Sequence, residues 1–238
     1  GGKSSGSMSF LRVLDYSAGS IKSGGKSRRA ARMTTMFNNH PDIMSFIDSK
    51  VVAEHMAILL VQGGYSGGMD GQAYTTVPHQ NTNHSVRILE EFFQSLESGG
   101  NVELKNVTNG KVAKMVSAEE MLKKIAFGAW RVADPGVQFD GKIQEMHTCK
   151  NSGRITSTNP CSEYVFLDDT SCNLASFNLL AFSDSQGKFD AYAFQRGVHI
   201  GTIASDILND AGSYPIKDIA MISPGFRTIG IGFGNLGA

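Results

Sequence analysis

The chain has too few cysteines for a disulfide framework: three among 238 residues, and an odd number. That shortage points to a reducing interior, the cytoplasm. Proline is scarce too, at six residues, which excludes a proline-rich linker. Net charge is missing altogether, because 22 Lys and Arg balance 22 Asp and Glu. No global field therefore draws a nucleic-acid polymer or an anionic membrane, and any anion site must be local. No stretch approaches the roughly 18 to 20 consecutive apolar residues of a membrane helix. The opening Gly1-Gly-Lys-Ser-Ser-Gly6 lacks the apolar core of a secretion signal. The initiator methionine is absent as well, and the chain stops inside the apolar run Ile229 to Ala238, so an internal piece of a longer protein is expected.

What is present suits a folded domain. Hydrophobic residues make up 41% of the chain, enough at this length for one large core. Glycine, at 27 residues, exceeds the usual share of about 7% while proline stays low, which suggests glycines set in particular loops. Leu11, Leu14, Ala18 and Ile21 recur at helical spacing, so Met8 to Ile21 reads as a helix. A second helix is expected after His40-Pro41, burying Ile43, Phe46 and Ile47. A third is expected from Ser85 to Ser98, through Val86, Leu89, Phe93 and Leu96, stopped by Gly99-Gly100. Asn109-Gly110 inside the alternation Val102 to Val116 predicts a hairpin. Ser117-Ala-Glu-Glu120 fits a capping box for a helix to about Val132, ended by Asp134-Pro-Gly136. Short extended pieces around Val165-Phe-Leu167, a long helix from Phe189 to Ala211 and a strand from Thr228 to Phe233 complete a single mixed α/β domain.

The stretch Ser157-Thr-Asn-Pro-Cys-Ser-Glu-Tyr164 carries the chemistry. Pro160 biases Asn159 toward an extended backbone. In an extended chain Asn159, Cys161 and Glu163 share one face at intervals of roughly 6 to 7 Å. An amide to orient a hydroxyl, a sulfur to exchange hydrogen and a carboxylate as base form a compact set for work on a polyol. The same residues also fit a turn with a buried structural cysteine and a solvated glutamate, and spacing leaves both readings open. Cys172 lies eleven residues beyond Cys161 and could form a redox pair with it. His147, Cys149, Cys161 and Cys172 can be written as a zinc set, but their spacings fit no compact motif, and no metal is expected.

Two basic glycine segments invite phosphate readings. Gly2-Lys3-Ser4 is the tail of a P-loop pattern whose first glycine lies outside the chain. Gly24-Gly-Lys-Ser-Arg-Arg29 follows a helix, where a P-loop would precede one; it could hold a nucleotide phosphate or be a solvated loop.

Taken together, several blocks resemble the catalytic segment of the adenosylcobalamin-dependent (class II) ribonucleotide reductases. They are Ala133-Asp-Pro-Gly-Val-Gln-Phe-Asp140, Met146-His-Thr-Cys149, Asn151-Ser-Gly-Arg-Ile155, Asn159-Pro-Cys-Ser-Glu-Tyr164 and Asp168-Asp-Thr-Ser-Cys-Asn-Leu-Ala-Ser176. Blocks before and after agree in order: Ser9-Phe-Leu-Arg-Val-Leu14, Ile21-Lys-Ser-Gly-Gly25, His40-Pro-Asp-Ile43, Gln80-Asn-Thr-Asn83 with Ser85-Val-Arg87, and Arg227-Thr-Ile-Gly-Ile-Gly-Phe233.

The resemblance implies that Cys161 becomes the thiyl radical that takes the ribose 3′ hydrogen, that Glu163 accepts the 3′-hydroxyl proton, and that Asn159 binds the ribose hydroxyls, with Pro160 and Ser162 beside it in the substrate site. It implies that Cys172 is half of the reducing dithiol, its partner lying upstream, restored by a thioredoxin-like or glutaredoxin-like reductant. Lys22, Lys26, Arg28 and Arg29 fall in the loop expected to sense a deoxynucleotide effector, and Met8 to Ile21 on a helix suited to a homodimer. Adenosylcobalamin is the implied cofactor, and a ribonucleotide the substrate. The implied fold is a ten-stranded α/β barrel, of which this chain would be about the first half plus the loop of the radical cysteine. A P-loop nucleotide-hydrolysing domain and a non-catalytic deoxynucleotide-binding module are the alternatives.

Overall fold

The computed structural model describes residues 5–23, 28–68 and 70–237, and the chain divides into two compact units, Gly1–Val165 and Phe166–Ala238. The side chains of 22, 23, 28 and 29 lie outside the description, as do residues 24–27 and with them Lys26.

The first unit opens with helix α1 (Ser7–Ser20), followed by the short antiparallel pair β1 (Lys22–Ser23) and β2 (Arg28–Arg29). Helix α1 forms where its period predicts, but its buried stripe is Leu11, Asp15 and Ala18, while Leu14 and Ile21 are exposed. A carboxylate displaces leucine from the inner face because it is fully used there. Its oxygens accept the backbone N–H groups of His79, Gln80 and Asn81 at 2.6 to 3.2 Å.

Strand β3 (Arg32–Phe37) leads into α2 (Ile43–Gln62) and the short α3 (Gln72–Thr76) before β4 (Thr82–Ile88). Ile43, Phe46 and Ile47 are buried as the sequence predicts. The expected helix from Ser85 to Ser98 is corrected: Thr82–Ile88 is a strand, and only α4 (Glu90–Glu97) is helical, burying Phe92 rather than Phe93. The apolar spacing fitted a helix, but parallel pairing on both sides of β4 overrides it. Nearly every residue of a doubly covered central strand is buried, so the polar/apolar alternation that would reveal a strand is lost.

Strands β5 (Asn101–Lys105) and β6 (Val112–Ser117) form the expected hairpin. Gly110 takes a left-handed φ of 68° within a six-residue connection, longer than the two-residue turn its dipeptide suggests. Helix α5 (Ala118–Val132) begins as predicted, with the Ser117 hydroxyl accepting the Glu120 N–H at 3.3 Å. Strand β7 (Gly136–Phe139) and α6 (Asp140–Met146) follow, elements the sequence reading did not separate.

The sheet order is β3-β4-β7, all parallel, with Arg87 in register against Gln138. Its core joins Val86 and Ile88 to Ile43, Phe46 and Ile47 of α2, Leu104 of the hairpin, and Met121 and Ile125 of α5. The described strands close no barrel.

Two buried histidines sit between α1, α2 and β4. His84 stacks on Phe46 with ring centroids 4.4 Å apart, and His79 meets it edge-on at 5.2 Å. Burial, reinforced by the positive charges of Lys50, His79 and Arg32, holds the His84 pKa down at about 2. The unfolded chain therefore takes up a proton below its ordinary value of 6.5 that the folded chain refuses, so stability falls as pH drops through 6.5. At pH 5.5 this amounts to about 1.4 kcal/mol from His84 alone. Comparing the urea midpoint at pH 7.5 and 5.5 in wild type and His84→Gln tests it, since the variant should lose most of that pH dependence. An identical pH slope in both proteins contradicts it.

The second unit pairs β8 (Asn173–Asn178) in parallel with β9 (Ile229–Gly234), with α7 (Ala191–Ala211) and α8 (Lys217–Phe226) between them in sequence. The long helix and closing strand lie close to their predicted ranges. Phe177 of β8 lies so near Gly201 of α7 that a Cβ there would stand 2.6 Å from its ring, which accounts for glycine at that position. Arg227 ties the start of β9 to α7 through Asp206 and Asp210, both at 2.7 Å. Ile200, Ile203 and Ile207 form an exposed apolar stripe along α7.

Candidate active site

The segment before the cysteine motif is fastened to each strand of the parallel sheet. From β3, the Thr35 hydroxyl meets the Ser157 hydroxyl at 2.6 Å. From β4, Arg87 Nη2 donates to the Ile155 carbonyl at 2.7 Å. From β7, Gln138 Nε2 donates to Thr158 Oγ1 at 3.0 Å. These anchors lie within two residues of the strands' carboxyl ends, the edge at which open parallel sheets hold their ligands.

Arg87 is the pivot. Its side chain is wholly buried, with Nε donating to Asp140 Oδ1 at 2.8 Å and Nη1 to Gln138 Oε1 at 3.0 Å. Gln138 is the penultimate residue of β7 and Asp140 opens α6, so the junction of strand and helix brings both onto the Arg87 guanidinium. Asp140 also pairs with Arg154. Gln144 grips Ile155 from both sides, donating to its carbonyl at 2.6 Å and accepting its N–H at 3.3 Å. Nothing local in the sequence assigns a role to Arg87, Gln138 or Asp140. The available signal was the Gln-x-Asp pair closing a strand opposite a lone arginine, which becomes legible only once β4 and β7 are known to be neighbours.

The extended arrangement predicted for Asn159, Cys161 and Glu163 is corrected: Asn159 to Ser162 is a β-turn. The Ser162 N–H donates to the Asn159 carbonyl at 3.0 Å, and Ser162 takes a left-handed φ of 64°. The turn wins because Asn159 Oδ1 also accepts the Tyr164 N–H at 2.9 Å, closing the loop on itself. Cys161 stands exposed at this turn, which rules out the buried structural cysteine of the bland reading; Glu163 is exposed, while Asn159 and Pro160 are half-buried. With its oxygen engaged, the Asn159 amide has its N–H donors left for a ligand. Beside the turn opens a cleft of about 550 Å³, lined by Val137, Phe139, Ile143 and Met146 together with Thr158 and Ser162.

Cys172 belongs to the second unit, where its sulfur lies near Gly230 at the head of the β8–β9 pair. The three cysteines form no disulfide. Of the expected effector residues, Lys26 and the side chains of Lys22, Arg28 and Arg29 lie outside the description; the backbone shows the β1–β2 pair flanking the loop. At the start of α1, Asp42 Oδ2 accepts from Ser7 N at 3.2 Å and Ser7 Oγ at 2.7 Å. That carboxylate pins the first turn of α1, while Gly2, Lys3 and Ser4, on which the P-loop alternative rests, lie outside the described residues.

A parallel sheet with an exposed cysteine turn braced over its strand ends makes this unit an α/β domain with the turn at the carboxyl edge of its strands. The comparisons give the family. The family model for the ribonucleotide reductase barrel domain matches residues 1–238, and the chain belongs to that family. It is 45% identical over 240 residues to a vitamin B12-dependent ribonucleotide reductase of Rhodopirellula baltica, covering 100% of this chain and 23% of that protein. It is 43% identical to the Streptomyces clavuligerus protein of the same description, again over 100% of this chain and 25% of the relative. A vitamin B12-dependent ribonucleoside-diphosphate reductase of Thermoplasma acidophilum is 35% identical over 97% of this chain and 27% of its own length. The chain thus spans about a quarter of the length of the curated relatives it matches.

Proposed function

We propose that this chain is the part of a cobalamin-dependent ribonucleotide reductase that carries the radical cysteine, and that the protein converts ribonucleotides to 2′-deoxyribonucleotides for DNA synthesis. The observation that carries the reading is Cys161, exposed at a turn fastened to three parallel strand ends, with Asn159 and Glu163 on either side. Adenosylcobalamin, when bound, supplies the unpaired electron. An exposed thiol fits that role because it can be reached by a radical generator, and of this chain's residues Cys161 is the one that meets it.

The remaining chemistry falls to side chains. The Cys161 thiyl takes the 3′ hydrogen, becoming a thiol. Glu163 accepts the 3′-hydroxyl proton, and the 2′-hydroxyl departs as water after gaining a proton. Asn159 N–H groups orient the ribose hydroxyls, with Pro160 and Ser162 shaping the floor beneath them. Cys172 and a second thiol supply two electrons and two protons, one proton for the departing hydroxyl and one for C2′, and become a disulfide, while Glu163 returns its proton to the 3′ oxygen and the sugar radical recovers its 3′ hydrogen from Cys161. A thioredoxin-like or glutaredoxin-like protein reopens the disulfide.

The resemblance extends the proposal to a cytoplasmic enzyme regulated by a deoxynucleotide effector at the loop containing Lys22, Lys26, Arg28 and Arg29. A homodimer through α1 is supported by its exposed Phe10, Val13 and Leu14. The chain as a whole, 1–238, is proposed as one partial barrel domain, about the first half of a ten-stranded barrel with the cysteine loop. The uncovered apolar stripe of α7 supports that view.

The test is direct. The full-length protein given adenosylcobalamin, a dithiol and each ribonucleoside di- and triphosphate should release the matching deoxynucleotide, and omission of the cobalamin should abolish it. Failure to form any deoxynucleotide under the complete conditions overturns the assignment.

A further inference from the structure

The turn that presents Cys161 holds itself weakly. Across it run one backbone hydrogen bond and the Asn159 Oδ1 bond to the Tyr164 N–H, and Ser162 sits in a left-handed conformation that strains a non-glycine residue. Position must come from outside the turn, and the polar chain behind it provides a direction as well as a brace. A guanidinium has donors only, so Arg87 Nη1 at 3.0 Å fixes Oε1 of Gln138 on its own side. The Gln138 Nε2 is thereby turned to Thr158, whose hydroxyl accepts it at 3.0 Å. Having accepted, that hydroxyl sends its single proton onward, to the Asn159 carbonyl at 2.9 Å or Ser162 Oγ at 3.3 Å. Both acceptors belong to the turn.

We propose that Gln138 and Thr158 are positioning residues for the radical cysteine, passing a fixed hydrogen-bond direction from buried Arg87 to the backbone that carries Cys161. This rests on the reductase reading above. The Asn159 carbonyl closes the turn around Pro160 and Cys161, so orienting it sets where the sulfur stands. A displacement of about 1 Å at a reacting atom is enough to cost on the order of a hundredfold in rate.

Two substitutions in the full-length protein separate position from packing. Gln138→Glu keeps, and strengthens, the partner of Arg87 but removes the Nε2 donor, so Thr158 turns its proton back toward the new carboxylate and away from the turn. Thr158→Val keeps the branched shape and deletes the hydroxyl, while Thr158→Ser restores it. The expected result is a kcat lowered about 10- to 100-fold in Gln138→Glu and Thr158→Val, with KM for the ribonucleotide within about twofold and Thr158→Ser recovering most of the loss. Undiminished kcat in Gln138→Glu, or Thr158→Ser as impaired as Thr158→Val, overturns the proposal. A proportionate rise in KM also overturns it, by making these substrate-binding groups. A second readout needs no turnover: the rate of Cys161 alkylation by iodoacetamide, followed by mass spectrometry on the peptide that carries Cys161, should change several-fold in both variants. An unchanged alkylation rate overturns positioning whatever the activity, whereas turnover surviving Cys161→Ser overturns only the reductase reading.

Discussion

Replacing Cys161 with serine should abolish deoxynucleotide formation by the full-length protein, a loss of at least about 10⁴-fold in turnover, while ribonucleotide binding changes little. The two side chains differ by one atom, and Cys161 is exposed, so the exchange buries no new polar group and leaves the turn's hydrogen bonds, all made by neighbouring residues, in place. What changes is the bond to hydrogen: an alcohol holds its hydrogen more tightly than a thiol, so the generator that oxidises sulfur cannot oxidise the serine hydroxyl, and radical transfer to the ribose stops. Product formation followed by chromatography, beside ribonucleotide binding by equilibrium dialysis, separates chemistry from recognition. Residual turnover above about one per cent of wild type would remove Cys161 from the reaction.

The second large effect concerns stability. Asp140→Ala leaves the guanidinium of Arg87 wholly buried with neutral acceptors only, and removing one partner of such a pair costs about 3 to 5 kcal/mol. The loss should centre on β4, β7 and the segment Ile155 to Thr158, because Arg87 of β4 bonds to β7 through Gln138, to the start of α6 through Asp140 and to the segment through the Ile155 carbonyl. Amide hydrogen exchange localises it: protection of β4 and β7 should fall together, with α7 and β8 unaffected. Arg154→Gln, which removes the half-exposed partner of the same carboxylate, should cost less than about 1 kcal/mol. If the two substitutions cost the same, burial is not what gives the Arg87 pair its importance.

The sequence showed local features well and pairings across the sheet poorly. The Ser117 cap, the hairpin strands, α5 and the α2 stripe depend on residues a few positions apart, and these were readable. The strand Thr82–Ile88 carries a helical spacing in sequence because its partners, β3 and β7, lie roughly fifty residues to either side and no local pattern marks them. The motif around Cys161 was found from its residue types, but its shape was not. Pro160 argued for extension, while the Asn159 side chain folded the backbone into a turn by capping Tyr164. Arg87 is masked in sequence for a related reason. A lone arginine in a strand reads as a solvated charge until Gln138, in register on the neighbouring strand, and Asp140 two residues on are seen to enclose it.

The direction of that polar chain has a consequence for leakage. Every bond runs outward from Arg87, and a guanidinium has no lone pair with which to receive a proton. A proton arriving at Thr158 from the cysteine turn therefore meets the amide nitrogen of Gln138, which has no lone pair to receive it. The chain grips the turn without conducting, and behaves as an insulator for protons. On the proposed reading, the reaction's protons pass on the open side of the turn, where Glu163 stands exposed.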